Sequence, residues 1–200
     1  MKTVLFATEN ESKVNRFKAK LLAKGIKIIT INDLPEKLEI EENGKDAIEN
    51  ALIKARAYAK VQDLPVFAMD DSLYIENIPQ DKQPGMYVRR VNGKRLTDEE
   101  MLTYYTNLAH EYGTNGRLTC RWVYGIATIN NKIESTYTFS KDDFYIVDKP
   151  STKIEKGYPL NTISVHKKLN KYFTDITKEE WKNQHENEED VIQFLYDRLS

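Results

Sequence analysis

Apolar residues come in two rhythms along this chain. Residues 3–7 (TVLFA) form a continuous apolar run that is too short for a helix, and they read as a strand buried on both faces. Val14, Phe17 and Leu21 then recur at i, i+3 and i+7, a helical spacing that Gly25 closes. Residues 27–31 (KIITI) predict a second strand, and 33–46 a connecting loop with Glu39, Glu41 and Glu42. Asp46 and Glu49 have the spacing of a capping box, and Ile48, Ala51, Leu52, Ala55 and Ala59 form the apolar stripe of the helix behind it. Residues 65–69 (PVFAM) predict a third buried strand that ends at Asp70-Asp71-Ser72. Strand, helix, strand, helix, strand is the order of an α/β fold with a parallel or mixed sheet.

The second half reads differently. Residues 97–112 open with Thr97 and Glu100 and carry Met101, Leu102, Tyr105 and Leu108, a helix that Gly113 stops. Residues 117–129 and 132–140 are rich in Val, Ile, Thr, Tyr and Trp, with Asn130-Asn131 between them as a hairpin turn. A short strand is expected near 144–147, and a terminal helix over 188–199. Trp122, Tyr124, Tyr137 and Phe139 alternate as packed sheet residues do. The expectation is one domain over residues 1–200: α/β, a mixed sheet flanked by helices, in two lobes with a central cleft for a ligand.

Charge and composition narrow the function. Lys and Arg total 30 and Asp and Glu 31, a net charge of −1 that lacks the basic footprint of a polymeric nucleic-acid binder. A single cysteine, Cys120, excludes an intramolecular disulfide and a thiolate metal cluster. No apolar run approaches the ~20 residues of a membrane span, and MKTVLFATEN is a poor secretory signal. The expected compartment is the cytoplasm, with no membrane partner. His110, His166 and His185 show no metal-ligand spacing, and no GxSxG elbow is present.

Two places can carry chemistry. Thr8, Asn10 and Lys13 lie where a buried strand meets a helix start, and free amides and the helix dipole favour an anion there. The spacing is not that of a P-loop, and an ordinary capped helix uses the same residue types. Asp70-Asp71 follows a buried strand, where ligands gather in open α/β sheets. A carboxylate there suits Mg²⁺ or an attacking water, although Asp is also a common turn residue. One of Glu39, Glu41 and Glu42 would complete a metal site, while Glu49 serves the capping box. Lys54, Arg56, Arg89 and Arg90 are cations for a phosphate or plain surface charges.

In order along the chain, four segments resemble the inosine triphosphatase family of nucleoside triphosphate pyrophosphatases. The family's Thr-Gly-Asn-x-x-Lys loop stands here as Thr8-Glu9-Asn10-Glu11-Ser12-Lys13. Its Glu-Asn-Ala-x-x-Lys-Ala helix is Glu49 to Ala55, its Asp-Asp-Ser is Asp70-Asp71-Ser72, and its Pro-Gly-x-Tyr-x-x-Arg runs from Pro84 to Arg90. The resemblance implies hydrolysis of a nucleoside triphosphate to monophosphate and pyrophosphate, with Mg²⁺, by a homodimer. It implies phosphate binding by Thr8, Asn10 and Lys13 with Lys54 assisting, and Lys13 is also a catalytic candidate. Asp71 becomes a base or a metal carboxylate, Glu42 the second metal ligand, and Ser72 and Arg90 part of the substrate site.

The C-terminal part departs from that pattern. The family's Phe-Gly-Tyr-Asp-Pro stands here as Lys156-Gly157-Tyr158-Pro159, and of its late Ser-His-Arg only His185 remains, followed by Glu186. Tyr158 and His185 are the surviving candidates for holding the base, and base selectivity is expected to differ. Two rival readings are a nucleotide- or partner-binding protein with little turnover, and a pyrimidine or modified-nucleotide pyrophosphatase of the septum-formation-inhibitor type.

Overall fold

The apolar run at the start of the chain becomes β1 (Lys2–Phe6) in the computed structural model, which describes residues 1–182 and 188–200. It is followed by α1 (Glu11–Ala23), β2 (Ile26–Thr30), α2 (Ala47–Ala59) and β3 (Val66–Ile75). A short hairpin of β4 (Arg90–Val91) and β5 (Lys94–Arg95) leads to α3 (Asp98–Tyr112) and the long strands β6 (Arg117–Asn130) and β7 (Ile133–Val147). Then come α4 (Pro159–Ile163), β8 (Ser164–His166), β9 (Lys171–Tyr172), α5 (Lys178–Lys182) and α6 (Glu188–Leu199). One sheet takes the order β2-β1-β3-β6-β7-β8-β9. β1 runs parallel to β2 and β3, and β8 antiparallel to β7 and β9. This is the mixed sheet with flanking helices that the alternation of elements called for. No helix among the described residues is long and apolar enough to cross a membrane.

The chain divides into two compact units. The first holds residues 1–71, 124–139 and α6; the second holds residues 72–123 and 140 onward through α5. In the first, successive residues of each strand pack on opposite faces. Val4 and Phe6, with Phe67 and Met69, join Phe17 and Leu21 of α1 and Val191, Ile192 and Leu195 of α6. Leu5, Ala7, Val66 and Ala68 join Ala51, Ala55 and Tyr58 of α2. Helices on both faces are why these strands read as unbroken apolar runs. The Phe6 and Phe67 rings stack with centroids 4.1 Å apart, and Phe17 meets both edge-on. In the second unit Leu73, Leu118, Cys120, Phe144 and Ile146 pack with Met101, Tyr105 and Leu108 of α3, while Tyr74, Arg117 and Arg121 on the same strands are exposed. Cys120 is a core thiol, and burial pushes it up to about 12.

Helix ends follow the sequence closely, with one shift. Thr97 and Glu100 form the expected reciprocal cap of α3. At α2 the Asp46 carboxylate accepts the Glu49 amide at 2.8 Å. The Glu49 carboxylate, however, takes the Lys45 amide rather than that of Asp46, and its Oε1 pairs with the Lys45 ammonium. Gly25 ends the α1 region at φ +83°, a left-handed turn that glycine enters without a Cβ penalty.

Several expected boundaries move. β3 does not end at Asp70 but continues to Ile75, because Leu73 and Ile75 are buried and Leu73 exchanges backbone hydrogen bonds with Gly85. The β6–β7 turn is Asn131-Lys132 rather than Asn130-Asn131. Both residues have positive φ, the mirror-image turn whose twist suits a hairpin. β7 absorbs the strand expected near 144–147, since Lys141, Asp142 and Asp143 belong to the ladder rather than to a loop. α4, β8, β9 and α5 escaped the pattern reading because two to five residues carry no periodicity.

Candidate active site

The site is built where β1, α1, α2 and β3 of the first unit come together. Leaving β1, the chain makes a tight bend in which the Thr8 hydroxyl accepts the Asn10 amide at 3.1 Å. Asn10 Oδ1 accepts the Lys13 amide at 3.2 Å, an N-cap that fixes the first turn of α1. Thr8 and Asn10 thus occupy two of the amides, and an anion here would meet the rest of the first turn and the positive end of a helix dipole.

β3 supplies the carboxylates, and its two-residue period decides where they go. Asp71 follows Phe67 and Met69 on the α1 side, and Asp70 follows Val66 and Ala68 on the α2 side. Lys13 of α1 forms an ion pair with Asp71 and lies 3.8 Å from Asp70 Oδ1. Lys54 of α2 lies 3.5 Å from Asp70 Oδ2 and 2.8 Å from Glu42 Oε2. The Asp71 amide donates to Asp70 Oδ1 at 3.0 Å, holding the two residues as a unit.

Five charges therefore alternate in sequence: Glu42, Lys54, Asp70, Lys13, Asp71. The two lysines and Asp70 expose a fifth or less of their side chains, and Asp71 about a quarter (26%). Water thus screens the lysine–aspartate pairs less than ordinary surface pairs, whereas Glu42 at the end of the row is exposed. The loop from residue 34 to residue 46 carries Glu42, which is exposed, between half-buried apolar residues and α2. Leu34, Leu38 and Ile40 pack on the α2 face, and Glu39 and Glu41 point out to solvent.

A cavity of about 360 Å³ opens beside this chain of charges. Thr8, Glu9, Asn10, Lys37, Glu42 and Lys54 form its polar wall, and Ile31, Leu38, Ile40 and Tyr58 its apolar one. The Tyr58 hydroxyl accepts the Leu38 amide at 3.3 Å. Lys37 crosses to Glu9 at 2.6 Å, a pair with no signal in the sequence beyond the charged residue at position 9.

The donor set bears on which cation fits. Among the described residues no group of three or more His, Cys, Asp or Glu is gathered for a metal. Glu42 and Asp71 each face an ammonium group. A hard cation that keeps its waters needs only one or two carboxylates when phosphate oxygens supply the rest. The residues present fit a cation that arrives with a phosphate chain, not an all-protein cage.

The other expected site residues fall in the second unit or outside the described residues. Ser72 is buried, with its hydroxyl donating to the Val123 carbonyl at 3.5 Å. Arg90 is exposed on β4, whereas its neighbour Arg89 is committed to Asp98 at 2.7 Å. Tyr158 precedes Pro159 at the start of α4 with its side chain partly exposed. The Gly157 amide donates to Asp98 Oδ2 at 2.6 Å, and the Gly157 carbonyl accepts from Arg89 at 3.4 Å. Arg89 and the Gly157 amide hold the Asp98 carboxyl below the usual carboxylate range. His185 and Glu186 lie outside the described residues.

Comparison with known proteins points the same way. A family model described as the Ham1 family matches residues 4–193. The chain is 29% identical over 199 residues to a protein of Bacillus subtilis named dITP/XTP pyrophosphatase, covering 98% of this chain and 96% of that one. It is 30% identical to a protein of the same name from Halalkalibacterium halodurans, over 90% of both chains. Among solved structures it superposes on the Ham1 protein of Staphylococcus aureus with a TM-score of 0.75 and 25% identity, covering 98% of this chain and 96% of that one.

Proposed function

The chain belongs to the Ham1 family, and from that premise we propose that it is a nucleoside triphosphate pyrophosphatase. It hydrolyses a nucleoside or deoxynucleoside triphosphate to the monophosphate and pyrophosphate with Mg²⁺. The observation that carries the reading is the alternating row of Glu42, Lys54, Asp70, Lys13 and Asp71 beside a capped helix start. Two lysines paired to carboxylates are not left uncompensated when empty, and they exchange those partners for phosphate oxygens when substrate enters. The names of the relatives, dITP/XTP pyrophosphatase, support the same reaction.

In this reading Lys13 and Lys54 bind the phosphate chain, with Thr8, Asn10 and the amides of the α1 start donating to its oxygens. Glu42 and Asp71 would hold the cation, whose charge would offset that of the phosphate oxygens. Asp71, freed from Lys13, orients the water that attacks the α-phosphorus and takes its proton. The bond between the α-phosphorus and the bridging oxygen breaks, and pyrophosphate leaves with that oxygen. Lys13 stabilises the charge that grows during transfer. The homodimer implied by the family resemblance is part of the proposal, and sedimentation equilibrium checks it.

Base selectivity is proposed to differ from that of dITP and XTP. Lys156 and Pro159 flank Gly157-Tyr158 where the family has Phe and Asp, and Glu186 offers acceptors where the family has a donor Arg. The test is pyrophosphate release over a panel of ordinary, deaminated and modified triphosphates with Mg²⁺. Selective release from a base other than hypoxanthine or xanthine is expected. Release best with ITP and XTP would overturn the altered selectivity, and no release from any nucleotide would overturn the enzyme reading itself.

A further inference from the structure

A carboxylate at the mouth of a phosphate site is electrostatically misplaced. Glu9 occupies that position, between Thr8 and Asn10 in the bend that presents amides to an anion, and it lines the same cavity as Lys54. Position 9 is glycine in the motif that the loop otherwise resembles, so this chain carries a negative charge in the wall of the cavity that holds Lys54. Lys37, on the loop that also supplies Glu42, reaches across the cavity and holds the Glu9 carboxylate at 2.6 Å.

We propose that Lys37 is a positioning residue for substrate capture: it neutralises Glu9 and ties it to the loop from residue 34 to residue 46, keeping the phosphate entrance open to anions. This rests on the pyrophosphatase reading of the neighbouring lysine–carboxylate row. Both side chains are more than half exposed, so the pair adds little to stability. Its consequence lies in the interaction with a ligand carrying several negative charges, because repulsion from one uncompensated carboxylate is multiplied by that charge and acts within a Debye length. Lys37 therefore governs binding more than turnover.

The experiment compares native protein, Lys37→Ala, Glu9→Gln and the Glu9→Gln/Lys37→Ala double variant. Two readouts are taken: steady-state kinetics with the best triphosphate found, and calorimetric titration with inorganic tripolyphosphate in metal-free buffer. Lys37→Ala is expected to raise KM and weaken tripolyphosphate binding about three- to tenfold at low salt, with kcat within about twofold. The defect should shrink at high ionic strength. Glu9→Gln should tighten binding, and the double variant should recover at least native affinity. A double variant as weak as Lys37→Ala would overturn the proposal, since Lys37 would then touch phosphate directly. Unchanged tripolyphosphate affinity in Lys37→Ala, or no binding by native protein, would overturn it as well. If native protein turns over no triphosphate but tripolyphosphate binding shows the expected pattern, the enzyme reading fails and the Lys37 inference stands.

Discussion

β6 is one strand living in two environments. In the second unit it alternates, with Leu118 and Cys120 buried and Arg117 and Arg121 exposed. In the first unit every residue from Gly125 to Ile129 is buried. The difference is coverage: helices lie against both sheet faces in the first unit, whereas the second packs α3 on a single face. Coverage also decides what charges do. In the first unit α1 and α2 bring one lysine each to opposite faces of β3, and adjacent aspartates on that strand meet both. In the second unit the corresponding charges tie loops together, as Asp98 does for Arg89 and the Gly157 amide. The first arrangement pairs side chains beside a cavity, as the proposed partner exchange with a ligand requires, and the second ties side chains to backbone.

Asp71→Asn tests this contrast most severely. If Asp71 serves as the base proposed above, pyrophosphate release should fall about 10²- to 10⁴-fold. The melting temperature should hold, because Lys13 keeps Asp70 at 3.8 Å. A drop in melting temperature that accounts for the lost activity would place Asp71 with the structural charges instead.

Gly125→Ala probes the double coverage of the first unit. A Cβ there would sit 2.5 Å from the Ala47 carbonyl carbon and the Ile48 amide nitrogen at the start of α2. Forcing α2 away from β6 should cost about 1–3 kcal/mol in chemical denaturation and shift Lys54 relative to Asp70. Native stability in this variant would mean that α2 is not held by close packing.

The smallest expected effect belongs to Asp98 in the second unit. Its carboxyl is held low by Arg89 and then by the Gly157 amide, so the folded form releases its proton more readily than the unfolded chain. Its stabilisation is present above the ordinary carboxylate value of about 4 and is lost as pH falls through the lowered folded value. Asp98→Asn should therefore flatten the decline of stability between about pH 5 and pH 3, measured by denaturant titration at each pH. An unchanged slope would remove Asp98 from the charges that hold the region around Gly157.

Much of the site was legible in the sequence, for reasons that differ by residue. Thr8, Asn10 and Lys13 could be placed because capping chemistry is local and a helix start needs nothing distant. Lys54 could be placed on α2 from its apolar stripe. What Asp70 does could not be read, because its role depends on which lysine lies on each face of β3. The strand period assigns the two aspartates to opposite faces once β3 is known to continue past them. Two adjacent carboxylates resemble a turn, so local pattern alone ends β3 at Asp70. Lys37 gave no signal, as its partner Glu9 is 28 residues away on another loop.

Local information thus settled the identity and order of the main elements, their caps and the residue types available to a phosphate. Helix and turn preferences act over three or four residues, and strand burial shows as an apolar run or an alternation within one segment. Tertiary structure alone decided which charges meet. An ion pair forms only where packing sets two elements a few ångströms apart, and the burial that sets α1 against one face of β3 and α2 against the other is a property of the assembled core.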